Sequence, residues 1–422
     1  MKDDLSNTIQ KDHSIEGAKS LLWVLTIINL FNYLDRYVLS SLLEPIKAEL
    51  GVKDDGDMGR LATAFMLGYF LTSPLFGYLG DRFSRKKLMA IGVIGWSLGT
   101  CLTGVAQAFS FMIFCRVLVG LGEASFGAIG PAVISDAYSP KRRNNAMTIF
   151  YLAVPIGAAM GFTLGGLIAA SWGWREAFFI TGLPGFLLAG LLFFVKEPTR
   201  GESEPDRVSA KKANLSDVWA LTKNKHYMLA VAGYIAYTFS MGALSFWGPA
   251  FLTRVHGMSV EQSSLFFGPA LILGGILGTI IGGYLATRWK TRSAGGYAKL
   301  LALSVFLSVP FVFYGITTNN SIHCMISIAI ALVFLFQSTG PINTILVETV
   351  SPVIRSSAMA IAIFSIHAFG DLWSPELVGR ISDFYAGDLR MGMLLLPGAF
   401  VIASIFWAIL MYAQNKPKVP AT

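Results

Sequence analysis

Ser139-Pro140-Lys141-Arg142-Arg143-Asn144-Asn145-Ala146-Met147-Thr148-Ile149 returns later in the chain as Ser351-Pro352-Val353-Ile354-Arg355-Ser356-Ser357-Ala358-Met359-Ala360-Ile361. The shared residues Ser-Pro, Arg, Ala-Met and Ile recur 212 positions on, and Asp136 and Glu348 stand upstream at the same offset. Gly77-Tyr78-Leu79 likewise returns as Gly283-Tyr284-Leu285. Repetition at this distance means two similar halves. Both copies of the first motif follow a long apolar run. Twelve such runs can be read, near 20–43, 58–79, 87–107, 109–135, 144–170, 174–195, 226–250, 260–287, 297–317, 321–349, 354–379 and 389–413. Each is close to the roughly 20 apolar residues that cross a bilayer core as a helix. The predicted fold class is therefore an all-α integral membrane protein, with twelve transmembrane helices in two six-helix pseudo-symmetric bundles. Two parallel repeats of this kind are the architecture of a rocking transporter.

Composition supports this. The chain has 422 residues, 54% hydrophobic and only 14% charged, against about 25% charged in soluble domains. That excludes an ordinary soluble enzyme, a disordered chain and a disulfide scaffold. Cys101, Cys115 and Cys324 lie inside apolar runs and read as small buried hydrophobes. The 43 glycines suit closely packed membrane helices, and Gly157, Gly161 and Gly165 form a small-residue stripe at four-residue spacing.

The net charge of +8 is a topology signal. With both termini inside, 24 of the 33 Lys and Arg fall in cytoplasmic connections and 7 outside, while Arg36 and Arg116 lie within spans. No nucleic-acid partner is implied. The expected organisation is a cytoplasmic tail over 1–19, an N-terminal bundle over 20–195, a cytoplasmic loop over 196–225, a C-terminal bundle over 226–413 and a cytoplasmic tail over 414–422. The first apolar run is too long for a cleaved signal and reads as a retained span. The expected setting is the cell membrane, with the protein a monomer in contact with membrane lipids.

The loop Gly77-Tyr78-Leu79-Gly80-Asp81-Arg82-Phe83-Ser84-Arg85-Lys86-Lys87 resembles the signature loop of the major facilitator superfamily. It departs from the usual pattern at Ser84, where glycine is common, and the second copy has Thr287 in place of the acid. The stripe Gly157 to Gly166 partly resembles an antiporter motif but has Phe162 where that motif has proline. Asn32-Tyr33-Leu34-Asp35-Arg36, Gly120-Leu121-Gly122-Glu123-Ala124-Ser125, Trp174-Arg175-Glu176-Ala177-Phe178 and Glu197-Pro198-Thr199-Arg200-Gly201 are together similar to the Spinster family of lysolipid and sphingolipid-phosphate transporters. The anion:cation symporters carry versions of the first two segments and provide the runner-up.

Charges inside spans cost about 2.5–3.5 kcal/mol each on insertion scales, so Asp35, Arg36, Arg116 and Glu123 need a reason to be there. At the helical rise, Asp35 and Arg116 lie roughly 12 and 10 Å from the outer ends of their spans, and Glu123 roughly 21 Å. Those depths allow an Asp35–Arg116 pair above a lone Glu123 near the midplane. A carboxyl whose surroundings alternate between water and a closed cavity takes up and releases a proton. Asp35 and Glu123 are the candidate proton sites, a role the Spinster resemblance also implies. Arg36 and Arg116, with Asn32, suit an anionic head group, because the guanidinium fork matches phosphate or carboxylate. A static ion-pair network is the competing reading.

The C-terminal half is poorer in charge. Phe239, Trp247 and Gln337 are candidate substrate contacts, with core packing the competing role. His367 and Asp371 share a helix face at i, i+4 and would extend a polar path. The resemblance assigns Asp81, Arg82 and Arg85 to a cytoplasmic gate. Asp136 would pair with Arg82 or Arg85, and Glu348 with Arg288 or Arg355, Arg143 belonging to the same set. No Gly-rich phosphate loop, zinc-ligand cluster or separate catalytic domain is present in the sequence, so no cofactor or metal is expected and an enzyme is disfavoured. The sequence thus predicts a proton-coupled carrier of an amphipathic lysolipid-class anion. The alternatives are a small organic-anion symporter and a multidrug exporter.

Overall fold

The computed structural model describes residues 15–80, 82–199, 221–350 and 354–415; the side chains at 140, 141, 144 and 355–357 lie outside that description. Among the described residues every regular element is helical. The first half contains α1 (Ala18–Ser41), α2 (Leu43–Glu49), α3 (Asp55–Gly80), α4 (Arg85–Gly104), α5 (Phe109–Ala137), α6 (Pro140–Trp172) and α7 (Trp174–Leu191). The second contains α8 (Lys225–His256), α9 (Val260–Lys290), α10 (Gly296–Thr317), α11 (Ser321–Phe336), α12 (Thr339–Glu348), α13 (Arg355–Ile366), α14 (Ser374–Phe384), α15 (Leu389–Met393) and α16 (Leu395–Asn415).

Ten stretches among the described residues are helical, long and apolar enough to cross a membrane. Two of the expected runs fall outside that set for visible reasons. Asn29, Asn32, Asp35 and Arg36 dilute the apolar run of α1. The run expected at 354–379 is broken by a π turn over His367–Asp371, so α13 and α14 are separate short helices. The run expected at 321–349 is also jointed, at Gln337 and Ser338 between α11 and α12. The short helix α2 lies in what the sequence suggested was a plain connection.

Packing follows small residues. A Cβ on Gly157 would come within 2.3 Å of the Leu30 carbonyl, one on Gly161 within 2.5 Å of the Leu34 carbonyl, and one on Gly165 within 2.3 Å of the Ser41 hydroxyl. The glycine stripe of α6 is therefore the seat of α1. The two halves meet along two seams, α3 against α14 and α6 against α9. At the end carrying α2, one hydrophobic core runs through both halves, from Leu42, Ile46 and Phe162 to Phe251 and Phe267.

The segment at 174–178 is structural. Arg175 Nη1 donates to the Gly104 and Ala106 carbonyls, at 3.0 and 2.6 Å, closing the end of α4. Its other arm holds Glu49 at 2.8 Å, and the Trp174 indole donates to the same carboxylate. Those two donors hold the Glu49 carboxyl below its usual range.

Placing a side chain in the α1–α6 seam tests this account. Gly161→Val should lower stability by about 1–3 kcal/mol, the usual cost of overpacking. Thermal unfolding of the purified protein measures it, with Gly190→Val, where a Cβ meets nothing within 4 Å, expected to be close to neutral.

Candidate functional site

Three buried charged groups, Asp35, Arg116 and Glu123, cluster with the half-buried Arg36 where α1 meets α5. Asp35 and Arg36 are neighbours in sequence, so the 100° step of a helix sends them to different surroundings. Arg36 reaches Glu123 of α5, with Nη2 2.7 Å and Nε 3.2 Å from Oε2. Tyr33, Phe65 and Tyr69 enclose its guanidinium, their ring centres 4.8, 4.9 and 5.3 Å away. Asp35 accepts from the Thr100 hydroxyl of α4 at 3.3 Å, and its other oxygen is buried without a hydrogen-bond partner. Arg116 is 2% exposed, lies 5.6 Å from the Phe65 ring centre, and keeps Nε and Nη1 buried with no hydrogen-bond partner.

This corrects the pairing expected from depth. Glu123 is not a lone carboxyl, and Asp35 is not ion-paired with Arg116. Depth along a helix axis says nothing about azimuth or about the reach of an arginine side chain. Asn32 is buried one turn before Arg36, its amide nitrogen also lacking a partner.

Arg36 and Arg116 line a cavity of about 130 Å³ between the halves. The facing wall comes from the second half: Gly242, Ser245 and Phe246 of α8, and His367 and Asp371 of the π turn. His367 Nδ1 lies 3.0 Å from both oxygens of Asp371. The turn closes through the Leu372 N–H onto the His367 carbonyl, an i→i+5 bond. Single π turns often mark functional sites, because the extra residue displaces side chains from the regular helical register. Gly242 admits this turn; a Cβ there would lie 2.6 Å from the Asp371 Cβ.

The other expected contacts of the second half divide. Phe239 is half-buried one turn before Gly242 on α8. Trp247 is fully buried and donates to the Pro375 carbonyl at 2.8 Å, so it presents no surface to the cavity. Gln337 is buried at the α11–α12 joint, its backbone against Gly282. Core packing decides both positions.

The α2 end is sealed by ion pairs crossing between the halves, which the sequence reading had counted only as topology charges. Asp55, its side chain fully buried, receives Arg254 Nη1 at 2.5 Å, the Ser382 hydroxyl at 2.6 Å and the Lys47 ammonium. Arg254 also holds Glu44 at 2.6 Å. The Asp383 carboxylate accepts the Asp55 and Gly56 N–H groups at 2.6 and 2.8 Å, capping α3 across the seam. The Thr63 hydroxyl donates to the Leu372 carbonyl nearby, at 3.1 Å. The bunching of Asp54, Asp55 and Asp57 at one helix start was the available sequence signal.

At the opposite end, two ion pairs among the described residues lie within one half each. Arg85 binds Asp136 at 2.5 Å, one of the two expected partners. Glu197 accepts from the Ser84 hydroxyl and the Arg85 N–H at 2.6 and 2.7 Å, which gives the unusual Ser84 a cap-linking role. Lys290 binds Glu348 at 2.8 Å, and Arg288, one of the two expected partners, turns to Tyr284 instead. Arg82 is exposed, its guanidinium 3.8 Å from the Tyr78 ring centre, and Arg143 is half-buried in the first turn of α6. Asp81 and the side chain of Arg355 lie outside the described residues.

Removing one partner of a buried ion pair costs about 3–5 kcal/mol, and each 1.4 kcal/mol is tenfold in a population. Asp55→Asn should therefore open the α2 end. With Tyr37→Cys as a reporter in the cavity wall, labelling by a membrane-impermeant maleimide from that side should rise by more than about tenfold. Unchanged labelling would show that apolar packing alone holds the seal.

Residues 25–375 match the family model of the Major Facilitator Superfamily. The chain is 34% identical over 370 residues to Protein spinster of Drosophila melanogaster, covering 85% of this chain and 61% of that longer protein. It is 32% identical over 383 residues to the Sphingosine-1-phosphate transporter SPNS2 of Danio rerio, covering 85% of this chain and 75% of that one. Its fold superposes with a TM-score of 0.87 on the crystal structure of a bacterial homolog of the human lysosomal transporter Spinster, in an inward-facing and unoccupied conformation. That likeness covers 96% of this chain and 100% of that one at 23% identity. Sequence motifs, helical architecture and these relatives agree that the chain belongs to the Spinster family of major facilitator transporters.

Proposed function

We propose that this protein is a proton-coupled secondary active transporter of an amphipathic lysolipid-class anion, working by rocker-switch alternating access. Its twelve spans form bundles over 20–195 and 226–413, joined by a cytoplasmic loop at 196–225. It sits in the cell membrane as a monomer, with the tails at 1–19 and 414–422 cytoplasmic.

The observation that carries this reading is Arg116, whose buried guanidinium beside a cavity leaves two nitrogens without partners. A buried unsatisfied charged donor costs the full desolvation of that group, and a phosphate or carboxylate from a substrate would offset it. Arg36 supplies a second cation, already engaged by Glu123. A head group that draws Arg36 away frees Glu123 to take a proton, which links substrate to proton. Asp35 is the second proton site. Asp371, on the facing wall, offers a carboxylate to an amine on the same head group. The tail would run along the α8 face bearing Phe239 and Phe246. Cross-half ion pairs at the α2 end, with Arg85–Asp136 and Lys290–Glu348 each inside one half at the other, suit a carrier closed outside. Asp81, Arg82, Arg85, Asp136, Arg143, Glu348 and Arg355 would rearrange when the cytoplasmic end closes. The zebrafish relative's name as a sphingosine-1-phosphate transporter fits the same substrate class.

Proteoliposomes containing the purified protein test this. A lysophospholipid should move in response to an imposed pH gradient, and Glu123→Gln and Asp35→Asn should each abolish the pH-driven part in folded protein. Movement of a hexuronate alone would favour an organic-anion symporter, and movement of neutral amphiphiles alone a drug exporter. Arg116→Ala should weaken an anionic lysolipid by roughly ten- to hundredfold, the value of a charge-assisted contact. A neutral amphiphile should be affected far less; equal losses would make Arg116 structural.

A further inference from the structure

The second copy of the signature loop remains without a role. In the first copy, Tyr78, Asp81, Arg82 and Lys86 provide an acid among bases. The matching residues 206 positions on are Tyr284, Thr287, Arg288 and Arg292, so the acid is gone and the bases remain. Lys290, between the two arginines, is engaged by Glu348. Neither Arg288 nor Arg292 has an acidic partner among the described residues. Arg288 Nη1 accordingly leans on the Tyr284 hydroxyl at 3.0 Å, which fixes the guanidinium and leaves the hydroxyl proton free to donate outward.

Tyr284, Thr287, Arg288, Thr291 and Arg292 surround a shallow hollow of about 580 Å³ at the end of α9. An exposed apolar stripe leads along the helix into it: Leu273, Leu277, Ile280 and then Tyr284, at three- and four-residue spacing. Gly283 adds no bulk beside the hollow, since a Cβ there would meet nothing within 4 Å. A basic mouth continuous with an exposed apolar stripe has the charge and polarity pattern of a phospholipid.

We propose that the degenerate loop copy is a binding site for an anionic diacyl phospholipid of the surrounding bilayer. Its phosphate is held by Arg288 and Arg292, and its chains lie along the Leu273–Ile280 stripe. With Thr287 at the position of the signature acid, the second copy keeps only bases, and its anion comes from the membrane. Two arginines near a lipid phosphate favour an anionic over a zwitterionic head group by roughly tenfold or more. The lipid occupies the outer surface of α9, away from the central cavity, and is not cargo.

Native mass spectrometry of the purified protein, equilibrated with equimolar phosphatidylglycerol and phosphatidylcholine, tests the site. The wild type should retain phosphatidylglycerol over phosphatidylcholine by roughly tenfold. Arg288→Gln with Arg292→Gln should erase the preference. Thr287→Asp, an exposed change that restores the acid of the first copy, should erase it too. No preference in the wild type, or a preference that survives both variants, would overturn the assignment. The measurement needs no transport, so it stands or falls apart from the carrier reading above.

Discussion

Arg116 carries a guanidinium into the interior of the protein with two nitrogens unanswered, and much of the remaining design can be understood from that. An unpaired buried charge is tolerated only where the surrounding structure is strong enough to hold it. The neighbours are arranged accordingly. Arg36 already has Glu123, and Asp35 is turned away toward Thr100. Phe65 stands between the two arginines, 4.9 Å from one and 5.6 Å from the other. Rings in that position keep water out while offering their faces to cations. One cation is thus paired within the protein, and the other keeps two buried nitrogens without a hydrogen-bond partner.

The ion pairs of the two ends divide the labour differently. At the α2 end, Asp55 binds across the seam, and the Asp383 carboxylate caps a helix of the other half. Both contacts join the two halves, and a contact made in only one arrangement favours that arrangement. At the other end, Arg85–Asp136 and Lys290–Glu348 occupy corresponding places in the two repeats and stay within their own halves. They keep each bundle end intact and leave the halves free to part. The close approach of α3 to α14 adds precision: a Cβ on Gly59 would sit 2.5 Å from the Glu376 Cα. That seam has room for one docked arrangement and no bulkier one.

Much of this was legible in the sequence. The apolar runs and the glycine stripe of α6 are one-dimensional signals; ten of the runs are long apolar helices among the described residues, and the stripe seats α1. Partner choice was not legible. Whether Arg36 or Arg116 meets Glu123 depends on azimuth and side-chain reach, which axial depth does not contain. The seal at Asp55 was missed because its partners, Arg254, Ser382 and Asp383, lie far away in sequence and outside any motif. Trp247 and Gln337 were read as cavity residues from their type alone, and burial against Pro375 and Gly282 gives them a packing role. The π turn at His367–Asp371 left no periodicity to detect, although the i, i+4 polar pair inside it was visible.

The two repeats also show how duplicated sequence separates into different tasks. In the first half, Ser84 and Glu197 tie the signature loop to the start of α4, and Arg85 closes on Asp136. In the second half the residue matching Asp81 is Thr287, Lys290 pairs with Glu348, and Arg288 and Arg292 are exposed. A gate needs charges of both signs that can exchange partners between states. A surface that holds the bilayer needs charges of one sign with no internal partner. Loss of a single carboxylate is enough to move a loop from the first condition to the second. The half with buried charge in its spans, at Asp35, Arg116 and Glu123, is also the half whose loop sequence keeps both signs of charge, so the two halves differ in charge both inside their spans and at their loops.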